Sequence, residues 1–538
     1  MDPDAASPPQ DLVLGPMLRH VGETSATVWV QTAAACRVTV RIGEREWSAR
    51  TFGLHGHHYA VVCLTGLEAG SSEEYAVQLD GRSVWPPARS DYPPSRILTL
   101  DRRRPTRLAF GSCRTSVPHT AEGNATHGVD AMRAFALHLA AQPPEALPDL
   151  MVFLGDQVYA DETSDEMREF IASRRSLDEP PWEELKDYNE YAHLYRLAWS
   201  DPANRWLLST VPSVMIFDDH DIRDDWNTSI DWRREMEAKA WWHERIVGGL
   251  ASYWVYQHVG NLSPKALSED EIWQLIAAHQ ESGADDEVDL TQPLEALVEA
   301  ADRDPESYRW SYTIDLGDSR LVVVDSRAAR QLDPDRRSMI DAEEMRWLDS
   351  QLQGGVEHLL IGTSLPFMML PGLHDLEAID EALAEGAWGR RPARLGEWLR
   401  RALDLEHWAA FQEGFAQVFE MVMEVARGER GRAPATVAFL SGDVHNSYVT
   451  QVQPEALPPG SSTVLQAVCS PIRNPLPRGI RVVTALVGKR LARPLRLMAS
   501  RSRKVPDPAY PWVVTHGPWF DNSLALLEVH GRTLAFRW

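Results

Sequence analysis

Four apolar runs of the sequence end in side chains that can bind a metal ion. Each run is short and continuous, which is typical of a strand buried on both faces of a parallel sheet. The groups that follow the runs are Cys113, then Asp156 with Tyr159, then Asp218 to Asp221, then Asp443 with His445. In a parallel sheet the carboxyl ends of the strands lie at one edge. We therefore expect these side chains to converge there.

The donor atoms of this set are suited to hard or borderline metal ions. Carboxylate and phenol oxygens are joined by one imidazole and one thiolate. Two metal ions about 4 Å apart can share one carboxylate and hold a phosphoryl group in line for attack. Asp156 is the natural shared ligand, because the strand Leu150 to Leu154 before it is predicted to be central.

Each group alone also has an ordinary explanation. A buried Cys is usually a small apolar residue, and an Asp after a strand often caps the next helix. The joint pattern, with a polar group at the same end of every run, favours the metal site. Competing patterns are absent from the sequence, which has no Gly-x-Ser-x-Gly, no Walker A loop and no strand-linked Gly-x-Gly-x-x-Gly.

The chain divides into two regions of different pattern. Residues 12–100 contain short alternating strands and frequent turn signals, which predict a small antiparallel sandwich of immunoglobulin or fibronectin type. We expect His55, His57 and His58 of this region to lie in a solvated loop. Residues 107–538 alternate buried strands with helical segments, which predicts an α/β catalytic domain with helical insertions.

Composition limits the partners and the location of the protein. The net charge of -24 argues against a nucleic acid as a macromolecular partner. The four Cys are widely spaced, which excludes a disulfide scaffold. The sequence shows no signal peptide, no twin arginine and no run long enough to cross a bilayer, so we expect a cytoplasmic protein.

One segment reverses the acidic balance. Arg473 to Lys504 contains no Asp or Glu, and Val482 to Leu497 mixes basic residues with Leu and Val, as an interfacial helix would. It could be a solvated helix packed on the acidic body. Alternatively, it could be a lid that draws anionic substrates or a lipid surface toward the metals.

Four motifs resemble a known family. They are Phe110-Gly-Ser-Cys113, Gly155-Asp-Gln-Val-Tyr-Ala-Asp161, Asp218-Asp-His-Asp221 and Ser441-Gly-Asp-Val-His445. As a set and in this order they resemble the PhoD-like (alkaline phosphatase D) branch of the metallophosphoesterases. The resemblance covers most of residues 12–538, including the β-domain in front. It implies a layered β-sheet core with helices, of metallophosphoesterase type.

The resemblance also implies a ligand set. A ferric ion (Fe3+) would be held by Cys113 and Tyr159 and paired through Asp156 with Ca2+ or another divalent ion. Asp219 takes the place of a ligand Asn of the wider superfamily, and Asp443 and His445 replace its two ligand His. The sequence departs from the relatives at Asp224 and Asp225, where two Asn are common, and in lacking their twin-arginine signal.

We therefore expect a metal-dependent phosphoric ester hydrolase, a phosphatase or phosphodiesterase that uses a metal-activated hydroxide. His220, in the place of the superfamily's substrate-facing His, would stabilise the transition state or protonate the leaving group. Arg114 could bind a phosphate oxygen or form an ordinary surface pair. Asp325 and Arg327 could support the site or clamp phosphate. The alternatives are a phospholipid-directed phosphodiesterase and a non-catalytic binding protein on the same fold.

Overall fold

The computed structural model describes residues 11–489, 492–501, 505 and 508–538 of the chain. Its first hundred residues are all strand and turn. The strands here are β1 Leu12–Val21, β2 Ser25–Thr32, β3 Arg37–Ile42, β4 Arg45–Arg50, β5 Phe52–Leu54, β6 His57–Thr65, β7 Ser72–Glu74, β8 Ala76–Leu79, β9 Arg82–Trp85 and β10 Arg96–Leu98. One sheet has the order β1-β2-β6-β5 and another the order β4-β3-β8-β9, while β7 pairs with β10. An immunoglobulin or fibronectin topology stays a prediction.

The sheet that contains β2 is buried on both faces. Because successive side chains of a strand point to opposite faces, Val28 and Val30 enter the core shared with the second front sheet. Trp29, between them, instead joins the large apolar cluster of the remaining chain. The front β-region therefore packs on the remainder of the chain through one face of this sheet.

The body of the chain alternates strands with helices, as predicted. Its strands are β11 Arg107–Gly111, β12 Leu150–Leu154, β13 Ser213–Ile216, β14 Val288–Asp289, β15 Tyr312–Leu316, β16 Ser319–Val324, β17 His358–Thr363, β18 Thr436–Ser441, β19 Ser447–Val452, β20 Thr463–Val468, β21 Trp512–Trp519, β22 Ala525–His530 and β23 Thr533–Arg537. Strand β14 belongs to a helical insertion and extends the first front sheet beside β5.

The helices surround these strands. They are α1 Ala121–His127, α2 Ala131–Ala140, α3 Asp165–Arg174, α4 Tyr188–Trp199, α5 Pro202–Thr210, α6 Ile230–Glu237, α7 Trp242–Tyr253, α8 Val259–Asn261, α9 Pro264–Glu269, α10 Glu271–Glu281, α11 Thr291–Arg303, α12 Ala342–Gln351, α13 Pro371–Ala384, α14 Arg390–Ala402, α15 Gln412–Arg427, α16 Arg478–Lys489 and α17 Ala492–Arg501. A π-helical turn, Trp254–His258, joins α7 to α8.

The body strands form two sheets, and this corrects the expectation of a single sheet edge. One sheet has the order β13-β12-β11-β22-β23, and the other has the order β15-β16-β17-β18-β20-β19-β21. Strands β11, β12 and β13 run parallel in the first sheet, while β18 runs parallel to its neighbours in the second. The polar groups still converge, because the two sheets meet at these strand ends.

A glycine marks the point where the sheets meet. A Cβ on Gly442, just after β18, would lie 1.9 Å from Ser112 Oγ and 2.9 Å from the carbonyl oxygen of Leu154. The backbone N–H of the next residue, Asp443, donates a hydrogen bond to Ser112 Oγ at 2.9 Å. Glycine is needed here because the ends of β11, β12 and β18 approach within van der Waals distance.

The amphipathic pattern of Trp232 to Gln257 predicts one long helix, but the structure divides it into α6, α7 and the π-helical turn. On one continuous helix, Trp232 and Trp242 would lie about 15 Å apart along the axis. Their rings instead pack edge to face with centroids 5.4 Å apart, which requires the break. The pattern of Leu395 to Arg427 also predicts one long helix, and a loop divides it into α14 and α15.

The prediction of a solvated loop at His55 to His58 is wrong. His57 and His58 begin β6 and are half-buried against the insertion and α4. His57 Nε2 contacts Asn189 Oδ1 at 2.9 Å, and His58 Nδ1 contacts Glu287 Oε1 at 2.6 Å. Glu287 reaches this position because β14, which follows it, pairs with β5.

Candidate metal centre

The candidate ligands at the strand ends have an unusual backbone conformation. Cys113, Asp156, Asp443 and His445 all have positive φ angles, of 59°, 20°, 62° and 48°. A non-glycine residue with positive φ costs about 1–2 kcal/mol and persists only where its surroundings fix it. Such outliers gather at functional sites, and here four of them lie at one junction of two sheets.

The described residues form three groups of possible ligand atoms. Cys113, Asp156 and His445 each offer a ligand atom, and these atoms lie within 4.8 Å of one another. Asp156, Asp218 and Asp219 form a second such group, and Asp219, His220 and Asp224 form a third. Asp156 links the first two groups, as a carboxylate shared between two metal ions would. Asp218 lies in the predicted cluster Asp218 to Asp221, although the family resemblance assigns the ligand role there to Asp219.

The electrostatics of the centre fit a bound cation. Asp156 Oδ1 and Asp218 Oδ2 are buried and have no hydrogen-bond partner among the described residues. Burial and the surrounding negative charges raise the pKa of Asp156 and of Asp218 well above the usual range. Buried carboxylates without a partner are costly, and a metal ion would supply the missing partner. The residues present therefore fit the metals that the motifs imply.

Cys113 and Tyr159 lie beside the shared carboxylate. Tyr159 is buried and donates a hydrogen bond from its hydroxyl to Asp156 Oδ2 at 3.1 Å. Burial, with the charge of Asp156 close by, raises the pKa of both the Cys113 thiol and the Tyr159 phenol. Binding to a metal would be needed to hold either group deprotonated.

His445 completes the first group as a neutral ligand. Burial lowers the pKa of His445 to about 4, so its imidazole stays neutral near pH 7. A neutral imidazole is the form that binds a metal. The positive φ of His445, two residues after Asp443, turns its ring toward Asp156 and Cys113.

His220 is oriented by a carboxylate. Its Nδ1 lies 2.9 Å from Asp161 Oδ1, and its ring packs against Tyr159 with centroids 4.5 Å apart. Burial alone would lower the pKa of His220, but Asp161 and Asp219 outweigh it and raise the pKa well above its usual value. The backbone N–H of Asp224 also donates to Asp161, at 2.6 Å. A protonated imidazole with its Nδ1 fixed can present Nε2 to a substrate.

Asp443 is held by a histidine that sequence reasoning missed. Its Oδ2 accepts a hydrogen bond of 2.9 Å from His407 Nε2, and His407 Nδ1 donates to Glu377 Oε1 at 2.7 Å. Burial opposes the charge of Asp443, but His407 keeps the pKa of Asp443 well below its usual range. Asp443 does not belong to any of the three ligand groups found among the described residues. Its role as a ligand stays a prediction.

Arg327 supports the acidic loop after β13. Its buried guanidinium pairs with Asp218, with Asp219 Oδ1 at 3.2 Å and with Glu406 Oε1 at 2.6 Å. Asp325 accepts hydrogen bonds from the backbone N–H of Arg327 and of the two residues after it, at 2.7 to 3.0 Å. Of the two roles considered, these contacts favour support over a phosphate clamp.

The structure corrects both expectations for Arg114. It is neither a surface residue nor free to bind phosphate, because its side chain is buried with its donors engaged. Nε and Nη2 donate to Asp130 Oδ2 at 3.0 and 2.8 Å, and Nη1 donates to the carbonyl of Ala198 at 2.7 Å. Adjacency to Cys113 in the sequence therefore does not make Arg114 part of the site.

The π-helical turn also supports the acidic loop after β13. Asp221 Oδ2 accepts from the backbone N–H of Asp218 at 3.0 Å, and Asp221 Oδ1 accepts from Gln257 Nε2 at 3.1 Å. Gln257 lies in the π-helical turn, whose carbonyls at Tyr256 and Gln257 bind the guanidinium of Arg19 at 2.9 and 2.6 Å. Arg19 belongs to β1. The front region therefore contributes to the support of the candidate ligands.

The chain has a mixed α/β fold of metallophosphoesterase type. The structure resembles one described as the structure of PhoD, with a TM-score of 0.57 and 14% identity, over 96% of this chain and 84% of that one. It also matches the structure of purple acid phosphatase PPD1 from yellow lupin (Lupinus luteus) seeds, with a TM-score of 0.48 and 10% identity, over 97% of this chain and 71% of that one.

The sequence itself carries a family domain. Residues 118–278 match the family described as PhoD-like phosphatase, so the resemblance seen in the motifs is confirmed. Residues 9–97 match a domain of unknown function, DUF7800. No curated protein matches the sequence. These findings support a metal-dependent phosphoesterase in general.

Proposed function

We propose that the protein hydrolyses phosphoric esters at a pair of metal ions. The observation that carries the proposal is the position of Asp156, whose carboxylate belongs to two groups of ligand atoms and has a buried oxygen without a partner. A site for a single metal ion would need only one such group. The PhoD-like domain over residues 118–278 supports the same reaction class.

We assign the ligands from the chemistry of the donors. Cys113, Tyr159 and His445 would hold one ion with Asp156, and thiolate and phenolate favour Fe3+ there. Asp219, with Asp218 and Asp443 close by, would hold Ca2+ or another divalent ion on the other side of Asp156. When bound, such ions lower the pKa of water and stabilise the negative charge on phosphoryl oxygens.

The protein's own groups would then position and protonate the substrate. His220 would donate a proton or a hydrogen bond from Nε2 to a phosphoryl or leaving oxygen, while Asp161 holds Nδ1. His407 keeps the carboxylate of Asp443 charged, and Arg327 holds the carboxylates of Asp218 and Asp219 in place. We place this chemistry in a catalytic domain of residues 107–538, with residues 12–100 as a separate front domain.

The test is an assay with controlled metal content. The full chain, supplied with iron and calcium, should hydrolyse an aryl phosphate monoester or an aryl phosphodiester. Comparing its rates on these two substrates decides whether it is a phosphatase or a phosphodiesterase. Asp156→Asn should abolish activity, whereas Asp335→Asn, at an exposed position, should leave it unchanged. Hydrolysis that survives Asp156→Asn, or a metal-loaded chain inactive on both esters, would contradict the proposal.

A further inference from the structure

The solvent-facing side of α14 combines basic and apolar residues. Its exposed positions follow a helical spacing and include Leu395 and Trp398, which are 53% and 63% exposed. Arg390, Arg391 and Arg394 flank them, and the described residues offer no carboxylate within ion-pair distance of these three. We call Leu395, Trp398 and the three arginines the α14 face. The remainder of the chain carries the opposite charge, since the net charge is -24.

Packing fixes the α14 face outward. Gly396, on the opposite side of the helix, lies so close to α13 that a Cβ would come within 2.6 Å of Ala384 N. Arg400, also on the inner side, is buried beside Asp380 and Glu397. The helix therefore cannot roll to bury Leu395 and Trp398. Their exposure is a consequence of a tight helix–helix contact.

The basic segment predicted from the sequence packs on the same helix, α13. Ala499 of α17 joins a small apolar cluster with Ala378 and Ala382 of α13. On α16, Val482 is 68% exposed, and Ile480 and Leu486 are also exposed. Helix α14 and the basic segment with α16 are separated by about ninety residues of sequence, but both pack on α13 and both expose apolar side chains. Arg490 lies outside the described residues, and the side chain of Arg493 is not described.

We propose that the α14 face docks on an anionic lipid surface. Leu and Trp insert readily at the boundary between headgroups and acyl chains, and Trp is enriched there. Arginine keeps its charge in the headgroup layer while its stem covers apolar surface. Each basic residue near an anionic surface adds to the attraction, which the acidic body alone would oppose. No helix in the described part of the chain is long and apolar enough to span a membrane, so contact is at the surface.

A second copy of the chain fits this face less well. A two-fold interface places the same patch of both copies together, so Arg390, Arg391 and Arg394 would meet their own counterparts. Those six positive charges would repel one another across an apolar contact. An anionic bilayer instead supplies negative charge and an apolar layer at the same time.

The test uses flotation of the full chain with vesicles. Vesicles of phosphatidylglycerol and phosphatidylcholine in equal amounts should carry the protein, and vesicles of phosphatidylcholine alone should not. Leu395→Ser with Trp398→Ser should lower the bound fraction by about tenfold or more, because both apolar contacts are removed. Arg390→Gln, Arg391→Gln and Arg394→Gln together should weaken binding and flatten its dependence on salt.

Matched variants elsewhere keep the test specific. Trp182→Ser removes an aromatic side chain that is 53% exposed outside this face. Arg82→Gln, Arg89→Gln and Arg103→Gln remove three exposed charges from the front region. Both sets should float as the unmodified chain does. All variants should keep their melting temperature and their activity on a soluble aryl ester.

Three results would overturn the proposal. They are no flotation with the anionic vesicles, equal flotation of the Leu395 and Trp398 variant, and a dimer in sedimentation velocity that the same variant dissociates. The outcome is independent of the proposed function. Flotation by a chain that hydrolyses no ester would support docking and contradict the phosphoesterase, and the reverse result would do the opposite.

Discussion

At the scale of single residues, the centre is a set of acids and acid-like groups that lack counter-charge. Asp156, Cys113 and Tyr159 are all buried, and burial raises the pKa of each. Without a metal ion, burial favours the protonated form of each of these groups. Their chemistry as ligands can therefore be tested by the colour and the kinetics of single variants.

The Cys113 thiolate and the Tyr159 phenolate on Fe3+ would give charge-transfer absorption in the visible. We expect Cys113→Ser to shift or remove part of that band and Tyr159→Phe to alter the rest. Both variants should lose activity and keep their far-ultraviolet circular dichroism, because the two side chains hold a metal rather than the core. A colourless, iron-free chain with full activity would exclude iron at this position.

His220 and Asp161 act as a pair in our account. Asp161→Asn removes the charge that holds His220 protonated and oriented, so kcat should fall by about 10- to 100-fold. His220→Asn removes the proton donor and should lower kcat by about 100-fold or more. Neither variant should change the metal content measured by elemental analysis. If Asp161→Asn left kcat unchanged, His220 would not depend on that hydrogen bond.

At the scale of elements, the decisive feature is the contact between the two body sheets at Gly442. The sequence predicts the strands β11, β12, β13 and β18 that carry the candidate ligands, because a short apolar run that ends in polar residues is a local signal. It places them in one sheet, because strand pairing depends on contacts far apart in the chain. Glu406 and His407 are missed for the same reason. They lie in the loop between α14 and α15 with no strand, periodicity or motif to mark them.

Gly442→Ala tests the contact between the sheets. The added methyl group would lie 1.9 Å from Ser112 Oγ, so the strand ends must move apart. We expect the free energy of unfolding to fall by about 1–3 kcal/mol and the metal content to fall with it. Ser112→Gly in the same chain removes the clashing hydroxyl and should restore part of both. Wild-type metal content in Gly442→Ala would show that the ligands do not depend on this spacing.

Helix α13 gives a prediction for the dependence of stability on pH. Burial lowers the pKa of His374, on this helix, to about 3, and the side chain packs against Phe415 and Trp512. The unfolded chain binds a proton at this residue below about pH 6.5, whereas the folded chain stays neutral. The contribution of His374 to the free energy of unfolding is therefore fully present above pH 6.5 and is lost as the pH falls toward 3.

The expected slope is about 1.4 kcal/mol per pH unit per buried His in that window. Urea unfolding of His374→Leu, measured at pH 7 and pH 5, should show a smaller difference between the two values than the unmodified chain. His516→Leu, at an exposed position, is the matched control and should leave the difference unchanged. Equal pH dependence in all three chains would contradict the assignment of a neutral buried His374.

At the scale of the whole molecule, the front region is part of the support of the metal centre. Sequence patterns showed no ligand cluster in residues 12–100, and the structure places the ligand groups of the described residues elsewhere. Arg19 of β1 nevertheless binds the π-helical turn that positions Gln257, and Gln257 binds Asp221. The sequence around Arg19 contains no pattern that marks a contact with the π-helical turn. The prediction of two separate domains therefore did not include this contact.

Arg19→Met therefore tests the coupling between the two regions. The carbonyls of Tyr256 and Gln257 would lose their buried donor, which destabilises the π-helical turn and loosens Asp221. We expect weaker metal binding in a chelator titration, by about tenfold, and a lower melting temperature. Arg205→Met is the control, because the half-buried Arg205 binds front-region carbonyls and has no hydrogen bond to the π-helical turn; this variant should lose stability alone.

The central claim is that two metal ions share Asp156. Elemental analysis of the purified full chain, with Asp156→Asn beside it, tests this claim directly. Our account predicts two metal ions per chain in the unmodified protein and the loss of both in Asp156→Asn, with the fold retained. An active protein with a single ion, or an Asp156→Asn variant that still binds two, would contradict it.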